Sequence, residues 1–202
     1  MGPAIAAGAI ESDVAAYYSA KLRAHGPTAR GVDWNGEASQ ELRFAQLLRI
    51  VDESAATQAA TERATLLDFG CGYGALFDTL RQGDMRLRYV GYDISETMID
   101  AARRRFADAA GCAFTSSLAG LAPADYTVAS GVFNVRLSHD NANWSAYVEQ
   151  TIAQFAALSR RGFAFNVLTS YADEDRKRPD LYYADPCFWF DHCKRRYSRR
   201  VA

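Results

Sequence analysis

The chain has 202 residues, 49% of them hydrophobic and 23% charged, with a formal net charge of −1, a composition that excludes disorder and fibrous repeats and fits a folded globular domain. The N-terminal MGPAIAAGAIESD has no basic leader and no later stretch reaches the roughly 20 apolar residues of a membrane span, so a cytoplasmic protein is expected. Cys71, Cys112, Cys187 and Cys193 show no CxxC spacing, which fits reduced thiols and no structural zinc.

In chain order, SDVAAYYSAKLRAH has helical spacing in Val14, Tyr17, Tyr18 and Leu22, and GPTARGVDWNG interrupts it with glycine, proline and Asn-Gly. SQELRFAQLLRIVDE then places Leu42, Phe44, Leu47, Leu48 and Val51 on one broad stripe of a second helix. ATLLDF is a continuous apolar run, the pattern of a strand buried on both faces. ALFDTLRQ reads as a short helix, LRYVGYD as a second strand, and SETMIDAARRRFADAA as a helix capped by Ser95. CAFT and DYTVAS are the third and fourth strands, WSAYVEQTIAQFAALS a helix, and GFAFNVLT the fifth strand. This alternation predicts an α/β fold with a doubly wound, mostly parallel sheet and right-handed crossovers. We expect one domain over residues 1–202, with a helical N-terminal extension or lid over 1–62 and the sheet core over 63–202.

Ligands of such sheets bind outside the carboxyl ends of the strands, where strand order reverses. Gly70, Gly72 and Gly74 follow the first strand there and let the backbone approach a ligand, while Asp93 ends the second strand, placed to accept hydrogen bonds from both ribose hydroxyls of a nucleotide. Two cofactors compete. Gly70, Gly72 and Ala75 satisfy the GxGxx(G/A) fingerprint of an NAD(P)-dependent oxidoreductase. Asp68 would repel a pyrophosphate, yet it suits the sulfonium and ammonium of S-adenosyl-L-methionine, directly or through a water. A protein that binds the cofactor without turnover is a third reading.

LLDFGCGYG followed by YVGYDISETMIDAARRRF resembles the first two motifs of class I S-adenosylmethionine-dependent methyltransferases, and the likeness in order and spacing extends over residues 64–168. The resemblance implies a Rossmann-like, seven-stranded sheet in the order 3-2-1-4-5-7-6 with the last strand antiparallel. It implies that Asp68, Gly70, Gly72 and Gly74 line the methionine end of the cofactor, that Asp93 holds the ribose, and that Ile94 and Met98 pack on the adenine. Ser116, Ser117 and Leu118 stand where the family contacts the adenine amino group, usually with an acid. An N-terminal lid is common in such enzymes, and the segment that supplies Tyr17, Tyr18, Lys21, His25, Trp34 and Asn35 offers Trp34 as the lid candidate; its aromatics equally suit docking of the extension on the core. The asparagine-proline-proline-aromatic signature of enzymes that methylate base amino groups is absent at 129–132, which reads ASGV, so a small-molecule acceptor is expected rather than nucleic acid.

Methyl transfer is an in-line displacement at an activated carbon, so alignment and exclusion of water are the main catalytic devices. SGVFNVRLSHDNANW supplies Asn134, Arg136, His139 and Asp140; His139 beside Asp140 is the candidate general base, set against a surface turn in which Asn141 or Asn143 caps the next helix. Tyr182, Tyr183, Phe188, Trp189 and Phe190 provide either an aromatic acceptor pocket or helix-to-sheet packing. The basic KRRYSRR near the end reads either as a nucleic-acid patch or as the last turns of a helix, where cations meet the negative end of its dipole. The family pattern calls for two strands after the fifth, and the chain ends where the first should begin. The fold is therefore expected to be truncated after strand five, with Phe163, Phe165 and Val167 poorly covered, and either to form a homodimer through the open edge or to be marginally stable.

Overall fold

The computed structural model describes residues 4–34, 36–51, 63–83 and 85–202. Asn35 and the end of the second predicted helix lie outside the described residues. Helix α1, Ala4–His25, begins earlier than its apolar spacing implied and buries Ile10, Val14 and Leu22. A 3-10 turn, Ala29–Val32, follows; the Thr28 hydroxyl accepts from Gly31 N, and the turn ends on Asp33 in the left-handed region at φ 60. Helix α2, Glu37–Leu47, buries Gln40, Phe44 and Leu47, an i, i+4, i+7 stripe. Leu42 is 64% exposed, because two positions from Phe44 puts it on the opposite side of the helix, so the predicted stripe is corrected there.

Five parallel strands form the main sheet: β1 Thr65–Phe69, β2 Arg88–Tyr92, β3 Cys112–Thr115, β4 Ala124–Ala129 and β5 Ser159–Phe165. Their spatial order is β3-β2-β1-β4-β5, which agrees with the first five positions of the expected order. Helices α3 Ala75–Gln82, α4 Glu96–Arg105 and α5 Asn141–Ala157 form the crossovers. Ser95 caps α4 as expected, accepting from Met98 N at 3.2 Å. Strand period divides the core: Leu66 joins Phe44, Leu76, Tyr89 and Ile99 on one face, while Leu67 joins Ile10, Trp144, Ile152 and Phe155 on the other. Fully burying one such side chain stabilises the fold by about 1.5–3 kcal/mol. This is why Asp68, beside them and only 3% exposed, needs an explanation other than stability.

The expected truncation is corrected. Two further strands, β6 Leu168–Thr169 and β7 Tyr183–Ala184, pair in parallel as a separate small sheet, and helix α6, Pro186–Arg196, follows. They do not extend β5 as an antiparallel hairpin. Instead, loop hydrogen bonds hold them to the segment after β4: Arg136 N and Leu137 N donate to Asp180 O at 2.9 and 3.0 Å, and Tyr182 N donates to Asn134 O at 2.8 Å. The side chains of β5 are covered by their own chain. Phe163 meets the Tyr197 ring edge-on at 5.5 Å, Phe165 meets Phe133 at 5.6 Å, and Val167 packs into the same cluster. Lys194, Arg195 and Arg196 occupy the last turn of α6, the end where their charge is favourable. Among the described residues no helix is long and apolar enough to cross a membrane.

Candidate active site

The turn after β1 is tied to the end of β2, since Gly70 N and Cys71 N both donate to Tyr92 O, at 2.7 and 2.9 Å. One residue later, Asp93 closes the arrangement: its Oδ2 accepts from Gly72 N and its Oδ1 from Ser95 N, both at 2.9 Å. Gly72 has φ +55, and a Cβ there would lie 3.0 Å from Val32 Cγ1, so both the dihedral and the space require glycine.

The turn forms the floor of a cavity of about 360 Å³. Asp68, Gly70, Gly72, Asp93, Ile94 and Met98 line it, as does Trp34 from the loop before α2. The remaining expected residues do not. Gly74 is the left-handed N-cap of α3, and a Cβ there would strike Phe106 at 2.7 Å, so close packing accounts for it. Ser117 is exposed, with Thr115 Oγ1 accepting from its backbone N–H, and Leu118 packs against the core. His139 Nε2 lies 3.1 Å from Asp13 Oδ2, its ring stacks on Trp144, and neither it nor Asp140 lines the cavity. Asp140, not Asn141 or Asn143, caps α5, accepting from Asn143 N at 2.9 Å. Among the aromatics after strand five, Tyr183 reaches the cavity, while Trp189 is core and Phe188 and Phe190 are exposed.

Two carboxylates, Asp68 buried and Asp93 half-buried, dominate the electrostatics. Burial pushes Asp68 up to about 7, against the hydrogen bond it accepts from Tyr89 Oη at 2.6 Å, with the nearby Asp93 charge adding to the rise. Burial likewise pushes Asp93 up to about 6, opposed by the Ser95 and Gly72 backbone N–H groups. Neither forms an ion pair among the described residues. Ser130 Oγ and Asn134 Oδ1, in the segment after β4, line the same cavity, buried and without a hydrogen-bond partner among the described residues. The floor of the cavity thus offers acid and acceptor lone pairs with no cation paired to them among the described residues, an arrangement that fits the cationic end of a ligand.

The outer wall was not legible from the motifs. Gln40 and Arg43 of α2, Tyr18 of α1, and Arg176, Arg178 and Leu181 between β6 and β7 all contribute to it. Asp33 joins its two halves, accepting from Tyr17 Oη at 2.9 Å and Lys21 Nζ at 2.8 Å while Arg178 Nη2 stands 3.8 Å away. The one available signal for α2 was Gln40, a polar residue at a core-facing helical position.

A glycine turn and an aspartate at the carboxyl ends of β1 and β2, over a cavity whose floor carries the two carboxylates Asp68 and Asp93, fit a Rossmann-like domain for a nucleoside cofactor with a cationic end. Known proteins agree. Residues 67–162 match the family model described as "Methyltransferase domain". The chain is 49% identical over 143 residues to the Mycobacterium tuberculosis protein named "Putative methyltransferase Rv1506c", covering 71% of this chain and 86% of that one. Among solved structures it resembles magnesium protoporphyrin IX methyltransferase of Synechocystis PCC 6803 with bound SAM, at 19% identity and TM-score 0.50, covering 76% of this chain and 63% of that one. It also resembles Haemonchus contortus phosphoethanolamine N-methyltransferase 1 in complex with phosphoethanolamine and S-adenosylhomocysteine, at 11% identity and TM-score 0.60, covering 92% of this chain and 40% of that one. The chain therefore spans less than two thirds of the length of these two structures, and the likeness is one of fold. The chain belongs to the S-adenosylmethionine-dependent methyltransferases, and the oxidoreductase alternative is set aside.

Proposed function

We propose that the protein transfers the methyl group of S-adenosylmethionine to a small-molecule acceptor that shares the cavity with the cofactor. The observation that carries this reading is the pair of carboxylates, Asp68 and Asp93, lining one cavity without a cationic partner among the described residues. Asp68 would face the ammonium of the methionine end, directly or through a water, with Gly70 and Gly72 against it. Asp93 has a lone pair left on each oxygen beyond its bonds to Gly72 N and Ser95 N, enough to accept from the ribose hydroxyls. Ile94 and Met98 supply apolar contact for the adenine, while Ser117 and Leu118 stand beyond the cavity lining and enter only if the segment after β3 closes on the base. Two structural relatives are named for small acceptors, magnesium protoporphyrin IX and phosphoethanolamine, which supports the same size class here.

When bound, the cofactor supplies a methyl carbon already activated by its sulfonium. What remains for the chain is to hold the acceptor in line with that carbon, to exclude water, and to accept hydrogen bonds from the nucleophile. Ser130 Oγ and Asn134 Oδ1 are suited to the last task. His139, engaged with Asp13, reads better as part of the α1–α5 contact than as a base. A cytoplasmic location goes with this reading. Pairing of two copies along the outer edge of β5 is opposed by Arg160 and Arg161 and by the register shift between Ala124 and Tyr126, devices that blunt sheet edges. Light scattering tests it, with a monomer removing it. Calorimetry of the purified chain with S-adenosylhomocysteine and with NAD tests the cofactor assignment, and consumption of S-adenosylmethionine against pools of small metabolites tests turnover. Binding of NAD in place of S-adenosylhomocysteine would overturn the proposal.

A further inference from the structure

The outer wall of the cavity carries positive charge that its own carboxylates do not offset. Asp33 is occupied by Lys21 and Tyr17. Arg178 is committed to Asp180, its Nε donating at 3.1 Å, with Asp33 at 3.8 Å. Arg43 differs. Its guanidinium carbon lies 4.8 Å from the centroid of the Trp34 ring, its Nε has no hydrogen-bond partner, and no carboxylate pairs with it among the described residues. Trp34 in turn lies against Gly131, where a Cβ would come within 2.9 Å of the indole. Guanidinium, indole and the turn after β4 are thus layered in a fixed order. Arg176 lines the same cavity; its ionic neighbour, Asp173, is 3.8 Å away, with the side chains 80% and 73% exposed, a pair of negligible strength in water.

We propose that the methyl acceptor bears an oxyanion, a carboxylate or a phosphate, and that Arg43 receives it with Arg176 as a second contact from the C-terminal wall. This rests on the reading of the cavity as shared by cofactor and acceptor. An arginine stacked on an aromatic ring is held in one orientation and keeps its N–H donors for an oxygen ligand. An anion bound there anchors the acceptor away from the reacting atom, so its binding energy serves to orient the nucleophile. The rest of the molecule then extends along Gly131 toward Ser130 Oγ and Asn134 Oδ1, which accept from an N–H or O–H group.

The test uses the full chain saturated with S-adenosylhomocysteine and titrated by calorimetry with inorganic phosphate and with succinate. Wild type should take up at least one of these anions, one per chain; Arg43→Gln should weaken it roughly ten- to hundredfold, Arg43→Lys less, and Arg176→Gln by a smaller factor. Affinity for S-adenosylhomocysteine itself should be unchanged in all three, which also shows that the variants fold. Absence of anion binding to wild type, or an affinity that Arg43→Gln does not alter, overturns the proposal. So does an Arg43→Gln variant that loses affinity for S-adenosylhomocysteine but not for 5′-methylthioadenosine, since Arg43 would then hold the carboxylate of the cofactor. Failure of wild type to bind S-adenosylhomocysteine is seen before any anion is added; it removes the underlying cofactor reading and the proposal with it.

Discussion

Arg178 Nη2 and Asp33 Oδ2 stand 3.8 Å apart, joining the loop before α2 to the segment between β6 and β7 across the outer wall of the cavity. Asp33 is 15% exposed on its side chain and also receives Lys21 at 2.8 Å. Asp33→Asn keeps a residue that tolerates the left-handed backbone but removes the charge that both cations share. We expect a loss of about 1–2 kcal/mol in urea unfolding, with affinity for S-adenosylhomocysteine reduced less than in any variant of the turn after β1. A stability equal to wild type would mean that the clasp contributes nothing.

Asp93 binds the turn as well as facing the cavity. Asp93→Ala therefore leaves Gly72 N and Ser95 N without their acceptor, and the expected outcome is twofold: affinity for S-adenosylhomocysteine falls roughly ten- to hundredfold, and the melting temperature drops by a few degrees. Asp93→Asn keeps one acceptor and should recover part of the stability but little of the affinity. Calorimetry and thermal melts on the two variants separate these contributions.

At Gly72 a valine would meet Val32 Cγ1 and would have to adopt φ +55, which a branched side chain resists. Gly72→Val should retain the secondary structure by circular dichroism and bind no cofactor. Normal binding would detach the turn from the cofactor.

The raised carboxyls give a pH dependence of definite sign. With folded values of about 7 for Asp68 and about 6 for Asp93, against an ordinary 3.8, the folded chain keeps protons that the unfolded chain has released. The stability they contribute is complete below about pH 4 and is lost as pH rises through 6 and 7. A cationic cofactor prefers the ionised carboxylates, so its affinity rises over the same interval. Thermal melts with and without S-adenosylmethionine should diverge as pH increases, and Asp68→Asn should flatten the part of the divergence near pH 7. Affinity that falls with pH would contradict the assignment of these acids to a cation.

His139→Ala removes a hydrogen bond to Asp13, whose side chain is 58% exposed, and a stack on Trp144. Turnover should be unchanged within a factor of about two, the scale of a surface substitution. A hundredfold fall with cofactor affinity intact would return His139 to proton transfer.

What the sequence disclosed depended on range. The passage from Leu66 to Met98 encodes strand, turn, strand and cap in adjacent residues, so Gly70, Gly72, Asp93 and Ser95 were legible from local pattern. Arg43 was hidden by its spacing, since a polar residue on an amphipathic helix reads as part of the solvated back. Asp33 and Arg178 are coupled only by the fold, and no periodicity links them. Strands β6 and β7 have two residues each, too short to leave an alternation, and a chain reading that needs a pattern therefore ended the sheet at β5. His139 misled for the opposite reason: a histidine beside an aspartate is a familiar local pairing, but Asp140 turned to cap a helix and His139 to face Asp13.

The cavity draws its floor from the middle of the chain and its outer wall from segments near residues 33–44 and 168–183. On the proposed reading, donor handling and the anchoring of the acceptor are written in separate stretches of sequence. Relatives that keep the middle and exchange both flanks would inherit the same methyl supply with a new customer, and a hybrid made by grafting those flanks should change what is methylated while its grip on the donor stays as it was.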